Sequence, residues 1–166
     1  MNGDEKRVGN RQNKTHIPVG NTRCMAKIEL LARAVIRRGD EILLAHKLGE
    51  TNTFLPGGHI EAGEYAVDAL RRELLEELSV ESVIGDFVGL VEHKFTDENG
   101  VRYEEINLIF KASIGEAEVA SAEGHLEFRW VNPVDFEKEN LLPSSFRRLL
   151  RKWLVDGHPF HYAERC

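Results

Sequence analysis

Cysteine is scarce in this chain, and basic charge is outweighed. Only two of the 166 residues are cysteine, Cys24 and Cys166, and they lie near opposite ends. With no Cys-x-x-Cys pair there is no disulfide framework, and a reducing compartment is the expected setting. Lys and Arg number 22 against 28 Asp and Glu, a formal net charge of −6. Sequence-independent binding of a long nucleic acid rests on a basic surface, so that partner is disfavoured, whereas a small phosphorylated ligand held through metal ions is not. No apolar run approaches the length of a membrane span, and the N-terminus lacks the apolar stretch of a signal peptide; the cytoplasm is the expected location. Seven histidines are scattered without His-x-x-x-His or HExxH spacing, which gives no zinc site. Gly-rich P-loops, Ser-His-Asp signatures and internal repeats are also missing.

What is present is ordinary for a soluble globular domain: 42% hydrophobic and 30% charged residues in a chain long enough for a real core. Residues 1–26 are polar and aperiodic and read as a flexible extension; 27–157 read as one domain, and 158–166 as a C-terminal tail. Within the domain, IELLARAVIRR (Ile28 to Arg38) and EILLAHK (Glu41 to Lys47) predict antiparallel strands around a Gly39-Asp40 turn. Phe54-Leu55 predicts a short strand stopped by Pro56-Gly57-Gly58. A helix is expected from about Glu64 to Ser79. Strands over Val83 to Phe95 and Val101 to Ile114 flank a TDENG turn, and FRWV (Phe128 to Val131) predicts a late strand. A last helix near Ser144 to Val155 has Ser144 or Ser145 as its cap and Gly157 as its stop. Its basic residues, in RRLLRKW, form the wet side, with Phe146, Leu149, Leu150 and Trp153 toward the core. The fold class is α+β, a mixed sheet packed between helices.

The densest chemistry lies in GHIEAGEYAVDALRRELLEELSV (Gly58 to Val80). At about 100° per residue, with Glu73 at zero, Glu76 falls near −60° and Glu77 near +40°. Leu70, Leu74, Val67 and Leu78 fall between roughly +60° and +140°. The glutamate stripe therefore borders the apolar stripe, and Glu77 lies almost inside it. A solvated acidic face would oppose the core. Like charges three and four residues apart repel, and desolvating them costs more; a cation with oxygen ligands relieves both.

This run resembles the box of the Nudix (MutT-like) hydrolase family, G-x5-E-x7-R-E-U-x-E-E-x-G-U with U an apolar aliphatic residue. The match comprises Gly58, Glu64, Arg72, Glu73, Leu74, Glu76, Glu77 and Val80, and eight such matches arise by chance at roughly 10⁻⁸ per starting position. Ser79 departs from the family glycine at the helix C-terminus; if the left-handed conformation is kept, serine costs on the order of 1 kcal/mol. The resemblance implies an α/β/α sandwich with a mixed, mostly antiparallel sheet. It also implies hydrolysis of a nucleoside diphosphate linked to another moiety, with Mg²⁺ or Mn²⁺. By resemblance Glu76 and Glu77 are the principal metal ligands, Glu73 is a third ligand or water-orienting base, and the Gly57 carbonyl completes the set. Arg72 orients carboxylates, and Glu64 braces the loop or joins the outer shell of the metal. A later loop carboxylate, Glu123 or alternatively Glu127, is expected to join them.

Around the box, His59 is a candidate phosphate contact. Phe54, Phe95, Tyr103 and Phe110 are candidates to stack on a base. In YEEINLIF, alternation sends Glu104 or Glu105 toward the substrate face, and Glu105 is the candidate carried forward. The signatures of coenzyme A-cleaving, NADH-cleaving, ADP-ribose-cleaving and dinucleoside polyphosphate-cleaving members are missing at their usual places. Those absences leave a nucleoside triphosphate, including an oxidised one, or a nucleotide sugar as the expected substrate. The alternatives are an ADP-ribose or dinucleoside polyphosphate hydrolase, or a non-catalytic module that senses a nucleotide. A homodimer is compatible with all of these.

Overall fold

Ten residues of the first strand set the frame. The computed structural model describes residues 26–115 and 119–163. Strand β1 (Lys27–Arg38) pairs with β2 (Glu41–Lys47) only at Arg37↔Ile42 and Arg38↔Glu41. The rest of β1 runs parallel to β5 (Arg102–Ser113), from Lys27↔Tyr103 to Ile36↔Ala112. Because β2 splays away, one edge of β1 is left for another partner. The Pro56–Ile60 loop takes it: Ala32 N–H donates to the Gly58 carbonyl and Ala34 N–H to that of Pro56, each at 2.9 Å. Backbone groups that would otherwise be orphaned thus pin the glycine loop to the sheet.

Strand order is β3 (Thr53–Phe54), β2, β1, β5, β4 (Val83–Thr96), β7 (Phe160–Ala163), with β6 (Leu126–Val131) on the other side of β2. The pairs β1–β5 and β4–β7 are parallel and the others antiparallel. The expected mixed, mostly antiparallel sheet is observed.

Alternation along β1 divides the core. Ala32, Ala34 and Ile36 pack with Leu70, Leu74 and Leu78 of helix α1 (Ala66–Leu78). Val35 joins Phe146, Leu149, Leu150 and Trp153 of helix α2 (Ser145–Asp156) on the opposite face. One helix on each face gives the α/β/α sandwich.

Several boundaries differ from expectation. The segment 158–166, expected as a tail, contributes β7, which runs parallel to Gly89–Glu92. The ring of Phe160 lies where a Cβ on Gly89 would stand, 2.5 Å away, and Phe160 and Tyr162 pack against the core. Four residues after a proline are too short a run to declare a strand. Ser144 sits at the N-cap of α2 with helical dihedrals and makes no side-chain capping bond, and the Ser145 hydroxyl is buried without a partner. Gly157 ends α2 with φ 68°, as expected. The extension at 1–25 and both cysteines lie outside the described residues. No described helix is long and apolar enough to cross a membrane.

Candidate active site

The loop and α1 meet through two glycines that have no room for a side chain. A Cβ on Gly57 (φ +115°) would stand 2.3 Å from the Ala32 carbonyl oxygen and 2.8 Å from Leu70. A Cβ on Gly58 would stand 2.3 Å from a Glu73 carboxylate oxygen. The spacing of the box is therefore steric. Gly58 leaves the space that the Glu73 carboxylate fills one helix face away.

Glu77 is buried, 5% exposed, and accepts a 2.9 Å hydrogen bond from Gly57 N–H. Burial pushes its carboxyl up to about 7, an effect that Glu73 and Glu123 reinforce by repulsion and that the Gly57 N–H and Arg33 oppose. Arg72 grips Glu64 with two bonds, Nε to Oε1 and Nη2 to Oε2, both 3.0 Å. Its Nη1 reaches Glu73 at 2.8 Å and Glu76 at 3.3 Å, and Nη2 also donates to the His59 carbonyl at 3.0 Å. Hydrogen bonds to Glu64 and Glu73 hold the Arg72 guanidinium above its ordinary value, and the Arg72 bond holds Glu64 below its own. One arginine thus ties the loop to the helix and sets two of the three helix carboxylates.

Helix α1 ends where the sequence departs from the family box. Ser79 adopts the left-handed conformation, φ 52° and ψ 30°, and its N–H donates to the Leu75 carbonyl. The turn is retained without glycine. Another carbonyl of the last turn, that of Glu77, accepts from Ala122 N–H at 2.8 Å. That contact docks the loop before β6 on α1 and brings Glu123 within electrostatic reach of Glu77. Glu123 pairs with His125 at 3.1 Å. Glu127, the alternative, faces Arg129 on β6.

Other expected contacts divide. His59 flanks the glycine loop but turns its ring toward Glu29, 3.6 Å away. Glu104 pairs with Lys94 on one side of β5, while Glu105 lines a cleft of about 390 Å³ with Phe54 and Phe95. Tyr103 shares the face of Glu105 but lies at the start of β5 beside Lys27, so it is not among the residues lining that cleft and stacks on Phe95 at 5.0 Å. Phe110 packs with α1 in the core.

Two cleft residues escaped the sequence reading. Arg33 stands half-buried in β1, stacks over Phe54 at 5.4 Å and donates to the carbonyls of Leu55 and Gly57. Burial pulls its guanidinium below the ordinary value, against the carboxylates of Glu77, Glu105, Glu73 and Glu29. Asn107, 1% exposed, donates to Glu105 at 3.2 Å. An arginine inside the apolar alternation LLARAVI was the available signal for the first; nothing in the sequence marked the second.

A model of the NUDIX domain matches residues 29–153. The chain belongs to the Nudix hydrolase family. It is 31% identical over 110 residues, 61% of this chain and 76% of the other, to a protein of Escherichia fergusonii named nucleoside triphosphatase NudI. It is 29% identical over 100 residues to a Bacillus subtilis protein provisionally named 8-oxo-dGTP diphosphatase; the match takes in 60% of this chain and 62% of that protein. Among solved structures, the MutT protein from Methanosarcina mazei Go1 superposes with a TM-score of 0.66 at 25% identity, over 80% of this chain and 96% of that one.

The residues expected to hold a cation in this Nudix domain, Glu73, Glu76 and Glu77 of α1, the Gly57 carbonyl and Glu123, offer it only oxygens. Among the described residues no three acidic, His or Cys side chains close on one point. Arg72 draws Glu73 and Glu76 to itself, and Arg33 covers the Gly57 carbonyl. The donor set nevertheless fits a hard divalent cation. A buried carboxylate repelled by two others is relieved by a positive charge placed among them.

Proposed function

We propose that this Nudix domain is a Mg²⁺- or Mn²⁺-dependent pyrophosphohydrolase that cleaves a small nucleoside triphosphate, an oxidised one included, with a nucleotide sugar as the neighbouring substrate class. The observation that carries the reading is Glu77, buried beside a glycine loop and facing two other carboxylates at a site rimmed by an open cleft. The names of the two relatives support a triphosphate.

Glu76, Glu77 and Glu73, with the Gly57 carbonyl and Glu123, would hold the cation. When bound, it neutralises phosphate charge and makes water a competent nucleophile near neutral pH. Gly57 N–H fixes one oxygen of Glu77, so this carboxylate keeps a single orientation. Arg72 positions Glu73 and Glu76 and braces the loop through Glu64. In this reading water attacks phosphorus, an anhydride P–O bond breaks, and the water's proton passes to a carboxylate of the box, Glu73 being the candidate. The cleft beside Arg33 takes the nucleoside end, with Phe54 and Phe95 as its aromatic walls.

The test is a panel of nucleoside triphosphates, nucleotide sugars, ADP-ribose and dinucleoside polyphosphates with Mg²⁺ or Mn²⁺, products separated by chromatography. The expected result is metal-dependent release of pyrophosphate from triphosphates, with ¹⁸O from labelled water in one product. Tight nucleotide binding without any release at millimolar metal would instead mark a sensing module.

A further inference from the structure

The expected cation and an arginine of the cleft claim the same oxygen. The Gly57 carbonyl belongs to the set that would hold the cation, yet Arg33 donates to it through Nη1, and that nitrogen also reaches the Leu55 carbonyl at 3.3 Å. Arg33 is half-buried in β1, and its guanidinium lies over the Phe54 ring at 5.4 Å. Four carboxylates act on it electrostatically: Glu77 and Glu73 of the box, and Glu105 and Glu29 on the strands. Glu29 and Glu105 are Cα partners in the β1–β5 pairing, an arrangement of like charges that a nearby cation relieves. On the cleft floor, buried Asn107 donates to Glu105 at 3.2 Å and fixes it there. Two acidic pairs therefore compete for one guanidinium.

Without metal, the guanidinium is the positive charge that offsets Glu77 and Glu73. A divalent cation among those carboxylates removes that attraction and sets like charge against like in a half-buried site, where screening is poor. The Gly57 oxygen has lone pairs for two partners, so charge drives the exchange, not crowding. Glu105 and Glu29 keep their attraction for Arg33 on the cleft side. A phosphate that reaches the same cation stands beside the Gly57 carbonyl, and a guanidinium fork suits phosphate oxygens. Resting on the proposed metal-dependent nucleotide reading, we infer that Arg33 exchanges the Gly57 carbonyl for a phosphate oxygen of the nucleotide once the cation is in place. Arg33 is then a substrate-binding residue only in the metal-loaded protein, and metal binds before nucleotide. The Phe54 ring lets the fork turn while its charge stays over an aromatic face.

Three measurements without turnover test this. In wild-type protein free of nucleotide, the Arg33 side-chain N–H signals, assigned through bonds by NMR, report its hydrogen bond. Diamagnetic Mg²⁺ should shift them and speed their exchange with water, half-complete at the concentration that half-saturates the metal site. Arg33→Gln removes the charge, so Mn²⁺ binding without nucleotide, followed by electron paramagnetic resonance, should tighten about three- to tenfold. Calorimetry uses the tightest-binding of the non-hydrolysable α,β-imido analogues of ATP, CTP, GTP and UTP. At saturating Mg²⁺ that analogue should bind Arg33→Gln about tenfold or more weakly than wild type, and in EDTA the two proteins should agree within about threefold. Arg33→Lys, which keeps the charge without the fork, is the second variant: Mn²⁺ affinity near wild type, analogue affinity between the other two. Melting curves confirm that each variant folds, and the wild-type spectra need neither. Arg33 signals unmoved at saturating Mg²⁺ overturn the inference. So does weaker Mn²⁺ binding in Arg33→Gln, which would make Arg33 a brace of the loop, or an equal loss of analogue affinity with and without metal. Wild-type protein that binds no Mn²⁺, or no analogue, overturns the metal-dependent nucleotide reading and this inference with it. Exchange observed without any hydrolysis of the triphosphates overturns the enzymatic reading alone and supports this one.

Discussion

Glu77 and Glu137 are both glutamates with an arginine close by, and the protein moves them in opposite directions. Glu137 lies on the surface, where Arg151 grips both its oxygens; that bond holds its carboxyl down to about 2. Arg151 also donates to the Pro133 carbonyl, so the pair clasps α2 to the short 3₁₀ turn at Pro133–Asp135. Glu77 is buried with one backbone N–H as its partner and two carboxylates as neighbours, and burial pushes it up to about 7. One site satisfies its charge; the other concentrates charge that it does not satisfy. A fold gains nothing from the second arrangement unless a ligand completes it, and perturbed carboxylates of this kind gather at functional sites.

The sharpest way to break that contrast is to neutralise each residue. Glu77→Gln should lower the rate of pyrophosphate release by about 10³-fold or more while the fold persists, as expected for loss of a ligand to a catalytic cation. Glu137→Gln should leave that rate within about twofold. Rates measured at saturating Mg²⁺ check both.

Stability should move the other way. With Glu77 raised above its ordinary value of 4.5, the folded protein holds more protons than the unfolded chain between about 4.5 and about 7. Stability therefore falls as pH rises through that window, and the penalty is complete above it, at about 3 kcal/mol. In EDTA, the stability of Glu77→Gln relative to wild type should grow by roughly this amount between pH 4.5 and pH 8, read from urea unfolding. The depressed carboxyl of Glu137 has the reverse sign: its contribution is present above about pH 4.5 and is lost as pH falls through about 2. Glu137→Gln should lower Tm at pH 7 and converge with wild type in acid.

Arg72→Lys keeps the charge but loses the fork that spans Glu64, Glu73 and Glu76. Its rate should drop about 10- to 100-fold, with a matching loss of metal affinity. The smallest effect belongs to Ser79→Gly, which should stabilise the protein by about 1 kcal/mol, because φ 52° suits glycine, and leave the rate unchanged.

These predictions also mark how far the sequence reached. Helical geometry placed Glu77 at the edge of the apolar stripe, and it is buried there. The family resemblance singled out Gly58, Glu64, Arg72 and Glu73, and in the fold Arg72 bonds Glu64 and Glu73 while Glu73 fills the space beside Gly58. Local patterns read well because period and spacing are local. The parallel pairing of β1 with β5 joins residues 76 positions apart, and no local pattern encodes it. Arg33 and Asn107 acquire meaning only when that pairing sets them on one floor. β7 depends on Gly89 leaving space for Phe160, a fit visible only once the sheet exists.

Mn²⁺ binding without nucleotide, followed by electron paramagnetic resonance in wild type and Glu77→Gln, decides whether the buried carboxylate serves a cation. Binding should be saturable in the wild-type protein and at least about a hundredfold weaker in the variant. Equal affinity in the two proteins would contradict that role, because the buried carboxylate would then serve no cation.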